Sequence, residues 1–185
     1  MKLYVALLRG INVGGSNLIR MPALKACFEA QGFADVSTYI QSGNVLFTSD
    51  CPNQRQLTCR VENALSKTFE YRSRVVVRSF PEMRGVVEGA PKEFGARPAT
   101  YRYDVIFLKD PLTVEEALNS LTAKPGVDSI FAGNAVVYWS RLISRASQSH
   151  LSRVVGRPEY QNMTIRNWNT TSKLLQLMER IRMRS

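Results

Sequence analysis

The amino-acid sequence predicts an α+β fold made of two β-α-β-β-α-β halves, an internal duplication, with one extra helix at the C-terminal end. Three observations carry that expectation. Short apolar or β-branched runs alternate with segments whose apolar residues recur at helical spacing, the same order of elements is read twice, and two stretches of the first half have counterparts in the second.

The first strand is "KLYVALLR", residues 2–9, where Leu3, Val5 and Leu7 alternate with Tyr4, Ala6 and Leu8. Both faces are apolar, as in a central strand covered by helices on at least one side. After the loop that follows it, "MPALKACFEAQG" offers Pro22 near a helix start, Leu24, Cys27 and Phe28 on one face, and Gly32 as the stop. "VSTYIQ" and "NVLFTS" read as two strands joined tightly through Ser42, Gly43 and Asn44, where glycine permits a positive φ. From Pro52 to Phe69 the stripe Leu57, Val61, Ala64, Leu65 and Phe69 has helical spacing, and the β-branched "RSRVVVRS" closes the half. This order is that of a ferredoxin-like unit, in which two helices cover one face of a four-stranded antiparallel sheet.

"PEMRGVVEGAPKEFGARPA" reads as a short helix and then a connector over roughly 89–100, which places an N-terminal ferredoxin-like half at 1–95 and a C-terminal one, with the extra helix, at 96–185. The second half runs strand "YRYDVIFLK", helix "TVEEALNSL" opened by a Thr113/Glu116 capping box, strands "VDSIF" and "AVVYWS", helix "SQSHLSRVV" and strand "NMTIR". The last helix, "TTSKLLQLMERIRMR", has an amphipathic stripe of Leu174, Met178 and Ile181, which predicts packing onto the domain.

Matching the halves locates an insertion. "SGNVLF" at 42–47 parallels "AGNAVVYW" at 132–139 with an offset of 90, whereas "LYVALLRG" from residue 3 parallels "YDVIFLKD" from residue 103 with an offset of 100. The ten-residue difference falls in the connection after the first strand, residues 10–21, whose counterpart is read as Asp110 to Leu112. A long loop where a short one suffices is expected to serve function or an interface.

Composition narrows the classes. At 185 residues, 44% hydrophobic and 22% charged, the chain reads as a globular protein, and no apolar run approaches the roughly 20 residues of a membrane helix. The first residues have no secretory cleavage pattern, so a cytoplasmic protein is expected, with no membrane partner. Cys27, Cys51 and Cys59 form no C-x-x-C pair and are expected to be free thiols. The single histidine, His150, leaves zinc spacing and a Ser-His-Asp triad without support, so no metal site and no cofactor are predicted. Net charge is +10, from 18 Arg and 7 Lys against 15 acids, and Arg141 onward holds eight Arg and one Lys against Glu159 and Glu179, a local +7. Such asymmetry suits an anionic ligand, nucleic acid or an acidic partner, or is simply a solvated basic surface.

"YVALLRGINVGG" at 4–15, "TYIQSGNVLF" at 38–47 and "TIRNWNTTSKLL" at 164–175 together resemble the bacterial family called domain of unknown function 1697. The resemblance runs from the first strand to the last helix and implies two ferredoxin-like halves. It implies no activity and carries over no catalytic residue.

The first candidate site is "RGINVGGSN". Gly10 and Gly15 have the spacing that opens a Walker-type phosphate loop, but Ser16 stands where its lysine belongs, and Gly10, Gly14 and Gly15 miss the dinucleotide spacing. What survives is a glycine-rich turn whose N–H groups can face an anion, bracketed by Arg9 and Arg20, with Asn12, Ser16 and Asn17 able to hydrogen-bond. The topology brings it beside Gln41, Ser42, Gly43 and Asn44. The plainer reading is a surface loop whose glycines serve only for turning, with Ile11, Val13, Leu18 and Ile19 tucking against the second half. "RNWNTT" is the secondary candidate, with Arg166, Asn167, Trp168 and Asn169 either at an anion-binding helix start or simply capping and packing.

The expected function is therefore that of a cytoplasmic binding protein, or an enzyme, for an anionic or phosphorylated compound at the first loop. The alternatives are nucleic-acid binding through the C-terminal basic surface and a protein-interaction module. A sheet-face RNA site like that of RNA-recognition modules is a weaker expectation, since "SGNVLFTS" lacks their signature and Tyr39, Phe47, Tyr138 and Trp139 are the residue types that fill cores. No carboxylate pair or histidine accompanies the loop, so no acid–base chemistry is argued for it.

Overall fold

A computed structural model describes residues 1–12 and 18–184. It contains two four-stranded antiparallel sheets, each with β-α-β-β-α-β-like connectivity, and a C-terminal helix. The chain divides into two compact units, Met1–Met83 with Leu174–Ser185, and Arg84–Lys173.

In the first unit β1 (Lys2–Leu8), β2 (Ala34–Tyr39), β3 (Asn44–Ser49) and β4 (Val75–Ser79) form a sheet in the order β2-β3-β1-β4. Alternation decides which side chains meet the helices. Tyr4, Ala6 and Leu8 of β1 and Val45 and Phe47 of β3 enter a core with Leu24 and Phe28 of α1 (Met21–Glu29) and Leu57, Val61 and Leu65 of α2 (Gln54–Phe69). The Phe47 ring is its centre, 4.7 Å from Phe33, 5.3 Å from Phe28 and 5.8 Å from Tyr4 between centroids. Pro22 sits in the first turn of α1, and Asn53 caps α2 by accepting from the Arg55 and Gln56 N–H groups at 2.9 and 3.1 Å. Glu70 ends α2 at φ 52°. All three cysteines are free. After β4 comes α3 (Phe80–Glu88), whose start is held by the Glu82 carboxylate accepting from the Ser79 N–H and hydroxyl at 2.6 and 2.7 Å.

The second sheet has the same order, β6-β7-β5-β8, from β5 (Tyr101–Leu108), β6 (Asp128–Ala132), β7 (Val136–Leu142) and β8 (Met163–Asn167). The capping box on α4 (Val114–Ser120) is formed, with the Thr113 hydroxyl accepting from the Glu116 N–H and the Glu116 carboxylate accepting from the Thr113 N–H. These backbone and hydroxyl bonds hold the Glu116 carboxyl below its ordinary range.

The helix expected over "SQSHLSRVV" is not α-helical. Three successive 3-10 turns, Ile143–Gln148, His150–Gly156 and Pro158–Asn162, occupy the place that α2 fills in the first half. The reason is local competition for backbone donors. Ser149 is extended (φ −60°, ψ 141°), its hydroxyl accepts from the Leu151 N–H at 3.2 Å and donates to Asp128 at 2.6 Å, and the His150 N–H also goes to Asp128 at 2.9 Å. Gly156 and Pro158 then prevent a longer helix from forming. The final helix, α5 (Trp168–Arg182), buries Leu174 and Met178 of its predicted stripe together with Leu175, while Ile181 is half-buried. No helix among the described residues is long and apolar enough to cross a membrane.

Candidate functional site

The first loop begins where β1 leaves its sheet. The Leu8 N–H donates to the Gly43 carbonyl (2.8 Å) and the Arg9 N–H to the Arg74 carbonyl (2.9 Å), so β1 still bridges the β2–β3 hairpin and the start of β4 at the point where the loop departs. Gly10 follows at φ 69°, exposed, and Asn12 at φ 53°, a left-handed conformation that asparagine tolerates better than most residues. Ile11 between them is buried.

Asn12 then closes the loop upon itself. Its side-chain oxygen accepts from the Ile19 N–H at 2.8 Å, and its amide nitrogen donates to the Ile19 carbonyl at 3.0 Å and to the Gln41 carbonyl at 2.8 Å. One side chain thereby ties both backbone groups of Ile19 to the hairpin, and Asn12 and Ile19 are held side by side as a neck. Buried Ile11 and Ile19 flank that neck and belong to the core of the first half rather than tucking against the second, Leu18 is exposed, and Val13 lies outside the described residues. Gly14, Gly15, Ser16 and Asn17 lie outside the described residues.

Hairpin and loop are fitted to each other. Gly43 has φ 74°, and a Cβ there would come within 2.7 Å of Ile11 Cδ1 and 2.8 Å of Leu8 Cβ, so glycine is required by both conformation and space. Asn44 is fully buried, and its amide donates to the Tyr39 carbonyl at 3.0 Å and to the Ser42 hydroxyl at 2.9 Å. The expected neighbours of the loop, Gln41 to Asn44, are therefore brought to it, with the Asn12 and Asn44 amides bonded to backbone and hydroxyl groups of the loop and hairpin.

Arg9 is half-buried, while Arg20 is exposed at the start of α1. No side chain among the described residues caps that helix, and its first turn holds no acidic residue. Arg74, whose carbonyl accepts from the Arg9 N–H, is a third arginine at this end of the sheet. Arg74 was not singled out in the sequence, because it lies 65 positions from Arg9 and only strand pairing joins them.

"RNWNTT" lies in the second compact unit. Arg166, on β8 opposite Val105, is buried, donates to the Ile165 carbonyl at 2.9 Å, and has its pKa lowered to about 10 by burial. Asn167 accepts from the Thr170 N–H at 2.7 Å and so caps α5, while Thr171 donates to the Asn167 carbonyl at 3.0 Å. Trp168 stands edge-on to Phe94 (5.2 Å, 87°), and Asn169 is exposed.

Elsewhere the basic C-terminal stretch is divided in its surroundings. Arg141 pairs with the buried Asp104 at 3.2 Å, Arg182 lies 4.4 Å over the Phe80 ring, and Arg153, Arg157, Arg180 and Arg184 are exposed. Burial raises the Asp104 pKa even though Arg141 and Arg102 pull it down. Phe47 and Trp139 belong to the helix-side cores, and Tyr138 is buried with its hydroxyl on the Val86 carbonyl at 2.6 Å. No cluster of three or more potential metal ligands is present among the described residues.

Comparison with known proteins gives a family and a fold. The conserved bacterial protein SP0830 from Streptococcus pneumoniae is 25% identical, with a TM-score of 0.84 over 96% of this chain and 98% of that one. No curated protein matches. Residues 1–138 match the family described as protein of unknown function (DUF1697), and the chain belongs to that family.

Proposed function

We propose that the protein binds a small anionic or phosphorylated compound where the first loop meets the β2–β3 hairpin. The observation that carries this reading is the Asn12 clamp. The segment 12–19 is tied at its neck to the hairpin, in a half whose fold is otherwise repeated with a much shorter connection. Held loops of this kind carry ligand contacts more often than they carry the fold. Arg9, Arg20 and Arg74 supply positive charge around the neck, and the first turn of α1 has N–H groups with no acceptor among the described side chains. Binding rather than chemistry is the role these groups support, since guanidinium and amide groups hold an oxyanion without moving a proton.

Titration with inorganic phosphate, pyrophosphate and a phosphorylated sugar, read by thermal shift and calorimetry, tests the reading. Arg20→Ala and Arg74→Ala should each weaken the best of these by about tenfold, and added salt should weaken it further. Lys109→Ala, at the position in the second half that matches Arg9, should leave binding unchanged. Equal affinity in all variants, or no response to any of the three anions, would remove the site from this loop. Salt-sensitive binding of nucleic acid that survives both arginine substitutions would favour the basic C-terminal surface instead.

A further inference from the structure

A recess lies on the second unit, on the face of its sheet turned away from α4. Register places Tyr101, Tyr103, Ser140, Ser129 and Phe131 on that face, opposite Ile106, Val137 and Trp139 of the helix-side core. Residues 91–97 fold over the edge of this surface and leave a cleft of about 170 Å³. The Phe94 ring lies 4.9 Å from Tyr103 and 5.3 Å from Tyr138, and Arg97 sits 4.9 Å over the Tyr101 ring. On the edge strand β6, Phe131 lines the same cleft and is 42% exposed, unusual for a ring of that size.

Polar groups line the cleft as well. The Ser129 and Ser140 hydroxyls, on paired positions of β6 and β7, make no hydrogen bond to another described residue, although Ser140 is only 8% exposed. Lys92 and Arg97 outnumber Glu93 on the overhanging segment, so the cleft is net positive. Its shape is fixed from behind. Gly95 has φ 90° and lies so closely against the Trp168 indole that a Cβ there would clash with Nε1. Trp168 from "RNWNTT" thereby supports the segment that carries Lys92, Phe94 and Arg97.

We propose that this cleft binds a nucleoside monophosphate. A planar base is matched by the aromatic walls and the exposed Phe131, its polar edge by the two serine hydroxyls, and a phosphate by Lys92 and Arg97. The cleft is sized for the base, with the ribose and phosphate at its mouth toward Lys92 and Arg97, and a single exposed ring rather than a row of them favours a free nucleotide over a strand. This site is independent of the anion site at the first loop, and the two stand or fall separately.

Calorimetry with the four 5′-mononucleotides, adenosine and ribose 5-phosphate, together with NMR of the tyrosine and phenylalanine rings, tests it. At least one mononucleotide should bind and shift the Tyr101, Tyr103 and Phe131 signals, adenosine should bind more weakly, and ribose 5-phosphate should leave the rings unmoved. Phe131→Ala and Lys92→Glu, both at the surface, should each weaken nucleotide binding by about fivefold with unchanged melting, while Lys25→Ala, an exposed cation of α1, should not affect it. Three results would overturn the assignment: no nucleotide bound at millimolar concentration, ring signals of the cleft shifted as far by ribose 5-phosphate as by a nucleotide, or nucleotide affinity unchanged in Phe131→Ala. A single-stranded oligonucleotide bound through the same rings far more tightly than any mononucleotide would overturn it in favour of a strand.

Discussion

The two halves share a strand order and differ in how they leave their first strand. Residues 9–20 connect β1 to α1, whereas residues 109–113, which include a cis Asp110–Pro111 bond, connect β5 to α4. The backbone frame around the two departures is the same. The Leu8 N–H goes to the Gly43 carbonyl and the Arg9 N–H to the Arg74 carbonyl, while the Leu108 N–H goes to the Ala135 carbonyl and the Lys109 N–H to the Asn162 carbonyl. A five-residue link therefore meets the demands of the frame, and the longer one exceeds them. The clamp made by Asn12 belongs to the loop itself, which is why the loop is the first place to seek function.

The same pairing revises the internal match. Val5 lies opposite Leu46 and Val105 opposite Tyr138, an offset of 92 in the hairpin strands rather than 90. Ala135 thus stands where Gly43 stands, and both have positive φ, 56° and 74°. "SGN" and "AGN" are alike in letters but two residues apart in role.

The halves also differ in how they use the place of the second helix, and the largest predicted effect tests that difference. Asp128 holds the 3-10 segment, accepting from the Trp139 indole (3.1 Å), the Ser149 hydroxyl (2.6 Å), and the His150 and Lys124 N–H groups (2.9 and 3.0 Å). Asp128→Asn turns one acceptor into a donor facing donors and should cost about 3 kcal/mol in denaturant melts. Burial alone would raise the Asp128 pKa, but these hydrogen bonds outweigh it and leave the carboxyl below its ordinary range. Its contribution to stability is thus complete above the unfolded-state pKa of about 3.9 and is lost as pH falls below that value. The pH dependence of stability on the acid side should be shallower in Asp128→Asn than in the parent.

Next in size is the pair of equivalent left-handed positions. Gly43→Ala adds a methyl against Ile11 and Leu8 in a strained conformation and should destabilise by about 2 kcal/mol, whereas Ala135→Gly relieves strain and should stabilise by up to about 1 kcal/mol. Opposite signs in thermal melts would confirm the 92-residue equivalence, and equal signs would break it.

Asn12→Gly keeps the positive φ and removes the clamp. It should cost about 1 kcal/mol of stability and speed proteolysis between residues 12 and 19, with no comparable cleavage at 109–113. The smallest effect is expected at Thr113→Ala, which opens the capping box of α4 for about 1 kcal/mol or less, read from the same melts.

Much of the architecture was legible because it rests on local pattern. The alternation in "KLYVALLR", the stripes of α1, α2 and α5, and the Thr113/Glu116 box all express periodicity or capping that neighbouring residues decide. The helix expected at "SQSHLSRVV" is the exception, because its apolar residues fit a helix while Asp128, some 20 residues earlier, takes the donors of Ser149 and His150. At the candidate site, the meeting of loop and hairpin followed from strand order alone. The Asn12 clamp and the place of Arg74 did not, since each depends on a backbone group brought near by pairing.

By itself the sequence determined two repeated α+β halves, the longer connection in the first, the free cysteines and the basic charge, all properties of composition or of residues a few positions apart. Tertiary structure decided that the Asn12 and Asn44 amides bond to loop and hairpin groups, that Arg166 is buried, that Trp168 braces Gly95, and that Phe131 and two serine hydroxyls share a cleft. Each of these turns on the partner a polar or aromatic group finds across the fold, and a chain of letters does not record that partner until the strands are in register.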